Sequence, residues 1–339
     1  MKKRLAMALA ATVVMSAAGT VFAAEDSNDF KFNGSFNTQF RHDDRSNGKT
    51  DDASGLKTTI TINMDKNLTD NLGLYARFTH QAFNNDQAQN VQKDWIDEDY
   101  NTAIDAFGFK YNNAGVNYVV GSQALTIGAT GLVYDNGFIG EHALPYAATI
   151  SGKVGATDLT AIYARTNYQH DVDNEKFYVL QGQYALNKKT TIGGFFAHTN
   201  YGANTLATDD SMNYYGISTA YKLTDKLNFV GEYIKSNADD DNKGYIGGLS
   251  YALDNKNSFG ASYYRVEDQA GIADANLGNM TTAPNGNAKG YILSYKYKYN
   301  DNTTIAASYD TQDKLKNNPA AAGANYDRNR TRVGVTFSF

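Results

Sequence analysis

The feature that constrains this chain most is an alternation of apolar and polar side chains with a period of two. It recurs in segments of about ten residues from Phe30 to the C-terminus. In the last segment the apolar positions are Val333, Val335, Phe337 and Phe339, and the positions between them are Gly334, Thr336 and Ser338. This period predicts β-strands with one apolar face. The content of 25 Tyr, 17 Phe and 30 Gly against 3 Pro is typical of many short aromatic strands.

Short turns and longer connections alternate between these segments. The short ones are rich in Asn and Asp, residues that suit tight hairpins, as at Asn112-Asn113-Ala114 and Asp254-Asn255-Lys256. We predict sixteen strands, at about residues 30–41, 56–66, 72–83, 103–112, 115–122, 144–154, 159–168, 175–186, 190–199, 212–223, 227–236, 244–253, 257–267, 288–299, 303–312 and 329–339. The fourth, seventh and thirteenth alternate poorly, so fourteen or eighteen strands remain alternatives.

The N-terminal residues read as an export signal. Lys2, Lys3 and Arg4 precede an apolar run from Leu5 to Ala18, and small residues follow at Ala23 and Ala24. We therefore expect residues 1–23 to be a cleaved signal peptide and residues 24–339 to form the folded barrel. Without the three signal-peptide cations the formal net charge changes from −5 to −8, which argues against a nucleic-acid partner.

No later segment has 18 consecutive apolar residues, which excludes a helical membrane protein. An all-β chain with an even strand count, short turns on one rim and long loops on the other is typical of a transmembrane antiparallel β-barrel of the bacterial outer membrane. The short turns would then be periplasmic and the long loops extracellular. A barrel of sixteen strands is too wide for side chains to fill, so it encloses an aqueous channel.

The chain resembles the general bacterial outer-membrane porins. The resemblance rests on sixteen strands, about twenty residues per strand, and a final strand from Arg330 to Phe339 that ends in phenylalanine. It implies a homotrimer in outer-membrane lipid and passive diffusion of small hydrophilic solutes and ions. It also implies that Phe337 and Phe339 belong to a signal read by the barrel-assembly machinery, and that the third external loop folds into the lumen as a constriction.

The third loop, at about residues 123–142, has a composition that fits this implication. It contains several glycines and the apolar residues Leu125, Ile127, Leu132, Val133, Phe138 and Ile139. A loop in water would not need so many apolar side chains, so we expect this loop to pack against a wall. Its acids are Asp135 and Glu141.

The polar faces of the early and final strands are basic. Closure of the barrel would place the cations Arg41, Lys57, Arg77, Arg330 and Arg332 on one arc of the wall. With Asp135 and Glu141 opposite, they would set up a transverse field at the narrowest section, which orients dipolar solutes. We assign these seven residues to the pore constriction. The alternative is that the cations are merely solvated in a wet lumen.

Other functions find little support in the sequence. The five histidines lack metal-ligand spacing and there is no cysteine, so we expect no metal and no cofactor. The Gly-x-Ser-x-Gly motif of serine hydrolases is missing, and we expect no enzyme activity. Two alternatives stay open. One is a sugar-selective or oligosaccharide-selective channel in which Tyr75, Tyr214 and Tyr264 form a stacking track, and the other is a surface adhesin or structural barrel.

Overall fold

The computed structural model describes residues 30–46, 52–84, 100–136, 144–165, 176–201, 210–272, 286–317 and 326–339. The predicted signal peptide and Glu141 lie outside this part of the chain. The described strands are β1 (Lys31–Ser46), β2 (Ala53–Asn67), β3 (Leu72–Asn84), β4 (Tyr100–Asn113), β5 (Val116–Ser122), β6 (Leu125–Ile127), β7 (Tyr134–Asn136), β8 (Tyr146–Val154), β9 (Thr157–Arg165), β10 (Lys176–Ala185), β11 (Thr190–Asn200), β12 (Ser211–Lys222), β13 (Leu227–Ser236), β14 (Lys243–Ala252), β15 (Asn257–Val266), β16 (Ala288–Lys298), β17 (Thr303–Lys314) and β18 (Asp327–Ser338).

Sixteen of these strands form one closed antiparallel barrel, in which β1 pairs with β18 and β5 pairs with β8. The predicted fold class and strand count are therefore confirmed. The two remaining strands, β6 and β7, form a small hairpin within residues 123–142, which the sequence analysis treated entirely as loop. Within the described ranges, no helix is long and apolar enough to cross a membrane.

Side chains within the turns hold the hairpins. The carboxylate of Asp254 accepts backbone N–H bonds from Lys256 and Asn257 at 2.8 and 2.7 Å. The hydrogen bond from Lys256 is the main reason why the pKa of Asp254 lies below its ordinary value. Ala114 and Gly115 both adopt positive φ, 49° and 81°, as the tightest hairpin turns require.

The alternation sorts side chains into two faces around the barrel. Large apolar residues occupy the outer face and are exposed, as Leu180, Ile217 and Leu293 show with exposed fractions of 56%, 68% and 50%. Neighbouring tyrosines on this face contact each other, with ring centroids 5.3 Å apart for Tyr163 and Tyr178. The other face of each strand is turned to the interior.

Closure depends on the pairing of the two ends of the described chain. Phe36 lies opposite Phe337, and the backbones of Gly34 and Phe339 exchange two hydrogen bonds of 2.9 and 3.1 Å. Gly34 is needed at this point because a Cβ there would lie 2.2 Å from the carbonyl oxygen of Thr61 and 2.8 Å from the ring of Phe339.

β1 is longer than predicted. It continues past Arg41 to Ser46, where the sequence analysis expected a loop from residue 42, because His42 to Ser46 pair in register with β18. The Asx-rich composition of this stretch favours loops locally, and the cross-strand ladder overrides that preference. The extension carries Asp43 and Arg45 into the wall.

We predict that Gly34→Ala destabilises the closed barrel by about 1–3 kcal/mol, since the new methyl group must displace backbone. Gly247→Ala is the control, because a Cβ there meets nothing closer than Phe229 at 3.8 Å. Urea unfolding of the purified protein, followed by tryptophan and tyrosine fluorescence, measures both. Equal midpoints for the two variants would show that the Gly34 contact does not limit closure.

Candidate functional site

Five arginines and two aspartates on β1, β17 and β18 form a cluster on the inner wall. They share one face because alternate residues of a strand point the same way, and the register places Arg41 opposite Arg332 and Asp43 opposite Arg330. We call this group the arginine cluster, and its members are Arg41, Asp43, Arg45, Asp310, Arg328, Arg330 and Arg332. Their burial distinguishes them from solvated lumen charges, since Asp43 is fully buried and Arg330 is 2% exposed.

Asp43 is the centre of this cluster. Its two oxygens accept paired hydrogen bonds from Arg330 at 2.9 and 3.1 Å and from Arg41 at 3.2 and 3.3 Å. Arg45 donates a further bond of 3.4 Å. One carboxylate therefore serves three guanidinium groups, two of them through the bidentate geometry that is the strongest form of this pairing.

Asp310 on β17 accepts hydrogen bonds from the other two arginines. Arg332 donates to it at 2.9 Å and Arg328 at 3.3 Å, and Arg332 also donates to the hydroxyl of Ser308 at 3.1 Å. Ser308 and Arg332 are register partners, as are Asp310 and Arg330. The cluster is thus a network of ion pairs on three adjacent strands, β1, β18 and β17.

Lys57 lies at the edge of the cluster on β2. It is the register partner of Gln39, two residues before Arg41, so it is diagonal to Arg41 on the same face. Arg41, Arg330 and Arg332 are all within electrostatic range of its ammonium group.

Arg77 belongs to a separate ion pair. Its guanidinium donates to both oxygens of Asp105, at 2.7 and 2.8 Å, and Asp105 is 1% exposed. The register between β3 and β4 shifts at Arg77, where a β-bulge inserts one extra residue in β4. This irregularity turns the Asp105 side chain to the inside.

The hairpin β6–β7 is attached to the opposite wall by its tip. Glu232 on β13 accepts backbone N–H bonds from Ala129 at 3.0 Å and Thr130 at 2.8 Å, and the hydroxyl of Thr130 donates to the same carboxylate. Gln181 on β10 accepts from the N–H of Gly128 at 3.0 Å. Gly128 has φ +86°, and a Cβ there would lie 2.1 Å from Glu232 Oε1, so only glycine fits.

Apolar packing holds the rest of this hairpin. Ile127, Leu132, Val133 and Tyr134 are at most 1% exposed, and the ring of Tyr134 packs edge-on against Phe177 with centroids 5.1 Å apart. The wall residues of this apolar cluster come from β8 to β16 and include Ala147, Ile162, Ala164, Val179, Ala197, Met212, Ile234 and Ile246. The interior therefore has an apolar side, occupied by the hairpin, and a cationic side.

The structure brings together four of the predicted constriction residues, Arg41, Lys57, Arg330 and Arg332. Arg77 is paired elsewhere, and Asp135 on β7 accepts a hydrogen bond from the hydroxyl of Thr126 at 3.1 Å. Glu141 is outside the described residues. Phe337 and Phe339 lie at the seam with β1, and their rings are stacked with centroids 6.4 Å apart.

The acids that partner these arginines, Asp43, Asp105 and Asp310, were not among the residues predicted from the sequence, and neither was Glu232. A signal existed for Asp43, because it alternates with Arg41 and Arg45 at the period of a strand. A signal also existed for Asp310. It lies two residues after Ser308 in the predicted strand at 303–312, so both side chains point to the same side of the sheet. For Asp105 and Glu232 the partners are set by a bulge and by a contact with a distant loop, which local sequence does not encode.

The fold is shared with solved porin structures. Two variants of Rhodopseudomonas blastica porin, one of them a triple mutant, match with TM-scores of 0.59 and 0.58, each at 14% identity. An engineered protein described for asymmetric conductivity matches with a TM-score of 0.58 at 15% identity. Each match covers 92% of this chain and 100% of the other. The predicted resemblance is confirmed at the level of the fold. No family model and no curated protein matches the sequence.

We predict that Asp43→Ala destabilises the protein by about 3–5 kcal/mol, because it leaves three buried guanidinium groups without their shared carboxylate. Asp65→Ala is the matched control. It also removes a carboxylate from a salt bridge, to Lys110 at 2.7 Å, but both partners are exposed, and the expected cost is about 1 kcal/mol or less. Urea unfolding in detergent measures both, and equal effects would contradict the central role of Asp43.

Proposed function

We propose that this chain is a porin of the outer membrane of a two-membrane bacterium, and that it lets small hydrophilic solutes and ions diffuse passively. The observation that carries the proposal is a closed sixteen-strand barrel whose interior presents the arginine cluster on one side and the hairpin β6–β7 on the other. A barrel of this strand number is wide enough for an aqueous channel. The shared fold with Rhodopseudomonas blastica porin supports the same function.

The outer surface supports a location in lipid. Exposed leucine, isoleucine and valine side chains cover its middle, and tyrosines such as Tyr245, Tyr263 and Tyr291 adjoin one another above them. Aromatic belts of this kind flank the apolar band of membrane barrels because their rings suit the headgroup level.

The arrangement of the outer face also supports a homotrimer. The row of outer side chains that contains Tyr309 continues through Thr331 and His42 to Ser54. His42 and Ser54 share a hydrogen bond of 2.7 Å, and so do His80 and Thr102 on β3 and β4. Hydrogen-bonded polar pairs suit a subunit contact better than contact with lipid tails, so we place the subunit interface on β1 to β4.

We further propose that the hairpin β6–β7 narrows the lumen, and that Arg41, Lys57, Arg77, Arg330 and Arg332 form the constriction with Asp135 and Glu141. The attachment of the hairpin tip to Glu232 supports a fixed position for this loop. Beside the tip, a recess of about 220 Å³ is lined by the polar residues Asp158, Thr160, Gln181, Gln183 and Ser218, together with glycines, Ala129 and Phe195. Side chains of this type keep water in the path of a polar solute.

The sugar-selective alternative loses two of the three tyrosines named for it, Tyr214 and Tyr264, whereas Tyr75 is half-buried. Tyr214 is fully buried and its hydroxyl contacts that of Tyr201, while Tyr264 is 2% exposed and donates to the carbonyl oxygen of Thr311 at 2.8 Å. Neither ring face is available to stack on a solute, so the stacking track through Tyr214 and Tyr264 is wrong.

Swelling of liposomes that contain the purified protein tests the proposal with neutral polyols and sugars of increasing size. We expect swelling rates that fall steeply with solute size. Glu232→Ala should let larger solutes enter several times faster, because the tip of the hairpin loses the carboxylate that accepts its hydrogen bonds.

Ser262→Ala, on the inner face of β15, is the control and should behave like the parent chain. Liposomes that do not swell in any solute would exclude a porin. Normal swelling that is unaffected by Glu232→Ala would leave the porin in place and remove the constricting role of the hairpin.

A further inference from the structure

The polar recess beside the tip of the hairpin β6–β7 exists because two inner positions of the wall lack side chains. Gly193 on β11 has the inward parity of Phe195, and Gly216 on β12 has that of Ser218. A Cβ at Gly193 would lie 2.5 Å from the hydroxyl oxygen of Ser218, and a Cβ at Gly216 would overlap the ring of Phe195. A larger residue at either position would therefore displace a side chain that lines the recess.

The register places the lining side chains in two neighbouring rows across β9 to β12. One row consists of Thr160, Gln181 and Phe195, and the next consists of Asp158, Gln183 and Ser218. Gln181 is engaged by the hairpin, because its carboxamide oxygen accepts from the N–H of Gly128 and its amide nitrogen donates to the carbonyl oxygen of Thr126. The other neutral polar side chains of the lining are Thr160, Gln183 and Ser218.

These three side chains offer both hydrogen-bond donors and acceptors. The hydroxyl groups of Thr160 and Ser218 each donate one hydrogen bond and accept others, and the carboxamide of Gln183 has two N–H donors and an acceptor oxygen. The hydroxyl groups of a polyol also donate and accept, so they match this lining. The ring of Phe195 supplies an apolar surface for the C–H groups of such a solute.

The charge and the size of the recess restrict the ligand further. Asp158 is the one charged residue in the lining, and its carboxylate lies 3.5 Å from the ammonium group of Lys153. Both side chains are exposed, so water screens the charge that remains, and the lining favours a neutral ligand. The volume of about 220 Å³ is below the roughly 300–1,000 Å³ of pockets for drug-sized ligands, which suits a monosaccharide better than an oligosaccharide.

We infer that this recess is a binding subsite for a neutral polyhydroxylated solute of the size of a monosaccharide. Hydroxyl groups of the solute exchange hydrogen bonds with Thr160, Gln183 and Ser218, and its apolar face packs on the ring of Phe195. The inference rests on the proposed function and deepens it, because it names a class of solute that the channel binds beside the hairpin tip during passage.

Saturation-transfer NMR measures this binding without a membrane. D-glucose is titrated into the protein in dodecyldimethylamine oxide, a detergent without a sugar headgroup, and we expect a signal that saturates. Triethylene glycol dimethyl ether, a neutral solute without hydroxyl groups, should give no saturable signal. Thr160→Val removes a hydroxyl group at nearly constant shape, and Gln183→Leu removes the carboxamide. Each should raise the dissociation constant for D-glucose about three- to tenfold, the effect of one lost hydrogen bond.

Thr304→Val is the matched control, because it makes the same change on the inner face of β17, away from the recess. It should bind D-glucose like the parent chain. Equal dissociation constants for all variants, saturable binding of the ether, or a glucose signal that never saturates would overturn the inference. Liposome swelling tests the porin separately. Swelling without saturable glucose binding would remove only the subsite, and saturable binding without swelling would remove only the porin.

Discussion

The rest of this structure depends on closure of the backbone hydrogen-bond ladder. A sheet leaves unpaired N–H and C=O groups at its two edges, and in a lipid bilayer each of these groups would cost several kcal/mol because water is not there to bind them. Pairing of β1 with β18 removes both edges. The pairing needs a small residue at Gly34, next to the ring of Phe339, and it fixes which side chains become neighbours across the seam.

Closure also creates the candidate site, because β1 and β18 are remote in sequence and adjacent in space. Arg330 reaches Asp43 across 287 positions of the chain, and Arg41 and Arg332 lie side by side. The opposite wall is apolar. Its apolar inner face from β8 to β16 packs against the hairpin β6–β7, and Glu232 accepts hydrogen bonds from the tip. The interior is therefore asymmetric. The β1–β18 pairing makes one side cationic, and the hairpin β6–β7 occupies the other.

Much of this fold could be predicted from the sequence, because its signals are local. The period-two alternation locates sixteen strands, and the Asn and Asp residues of the short turns mark seven hairpins. The inward parity of Arg41, Arg330 and Arg332 could be predicted too. Their partners could not, because Asp43 lay beyond the expected end of β1 and Asp105 depends on a bulge at Arg77. Cross-strand register and bulges are set by the whole sheet, so they cannot be predicted from local composition.

The account depends most on one point: side chains on the inner face of the barrel border a water-filled channel, and side chains on the outer face do not. The chain has no cysteine, so a single one can be introduced without background. Ser294 and Leu293 are neighbours on β16, and only Ser294 shares the inward parity of Ile292. We expect a charged, membrane-impermeant thiol reagent to reduce the current through reconstituted Ser294→Cys channels and to leave Leu293→Cys channels unchanged. Block at Leu293→Cys with none at Ser294→Cys, or no reaction at either position, would contradict the account.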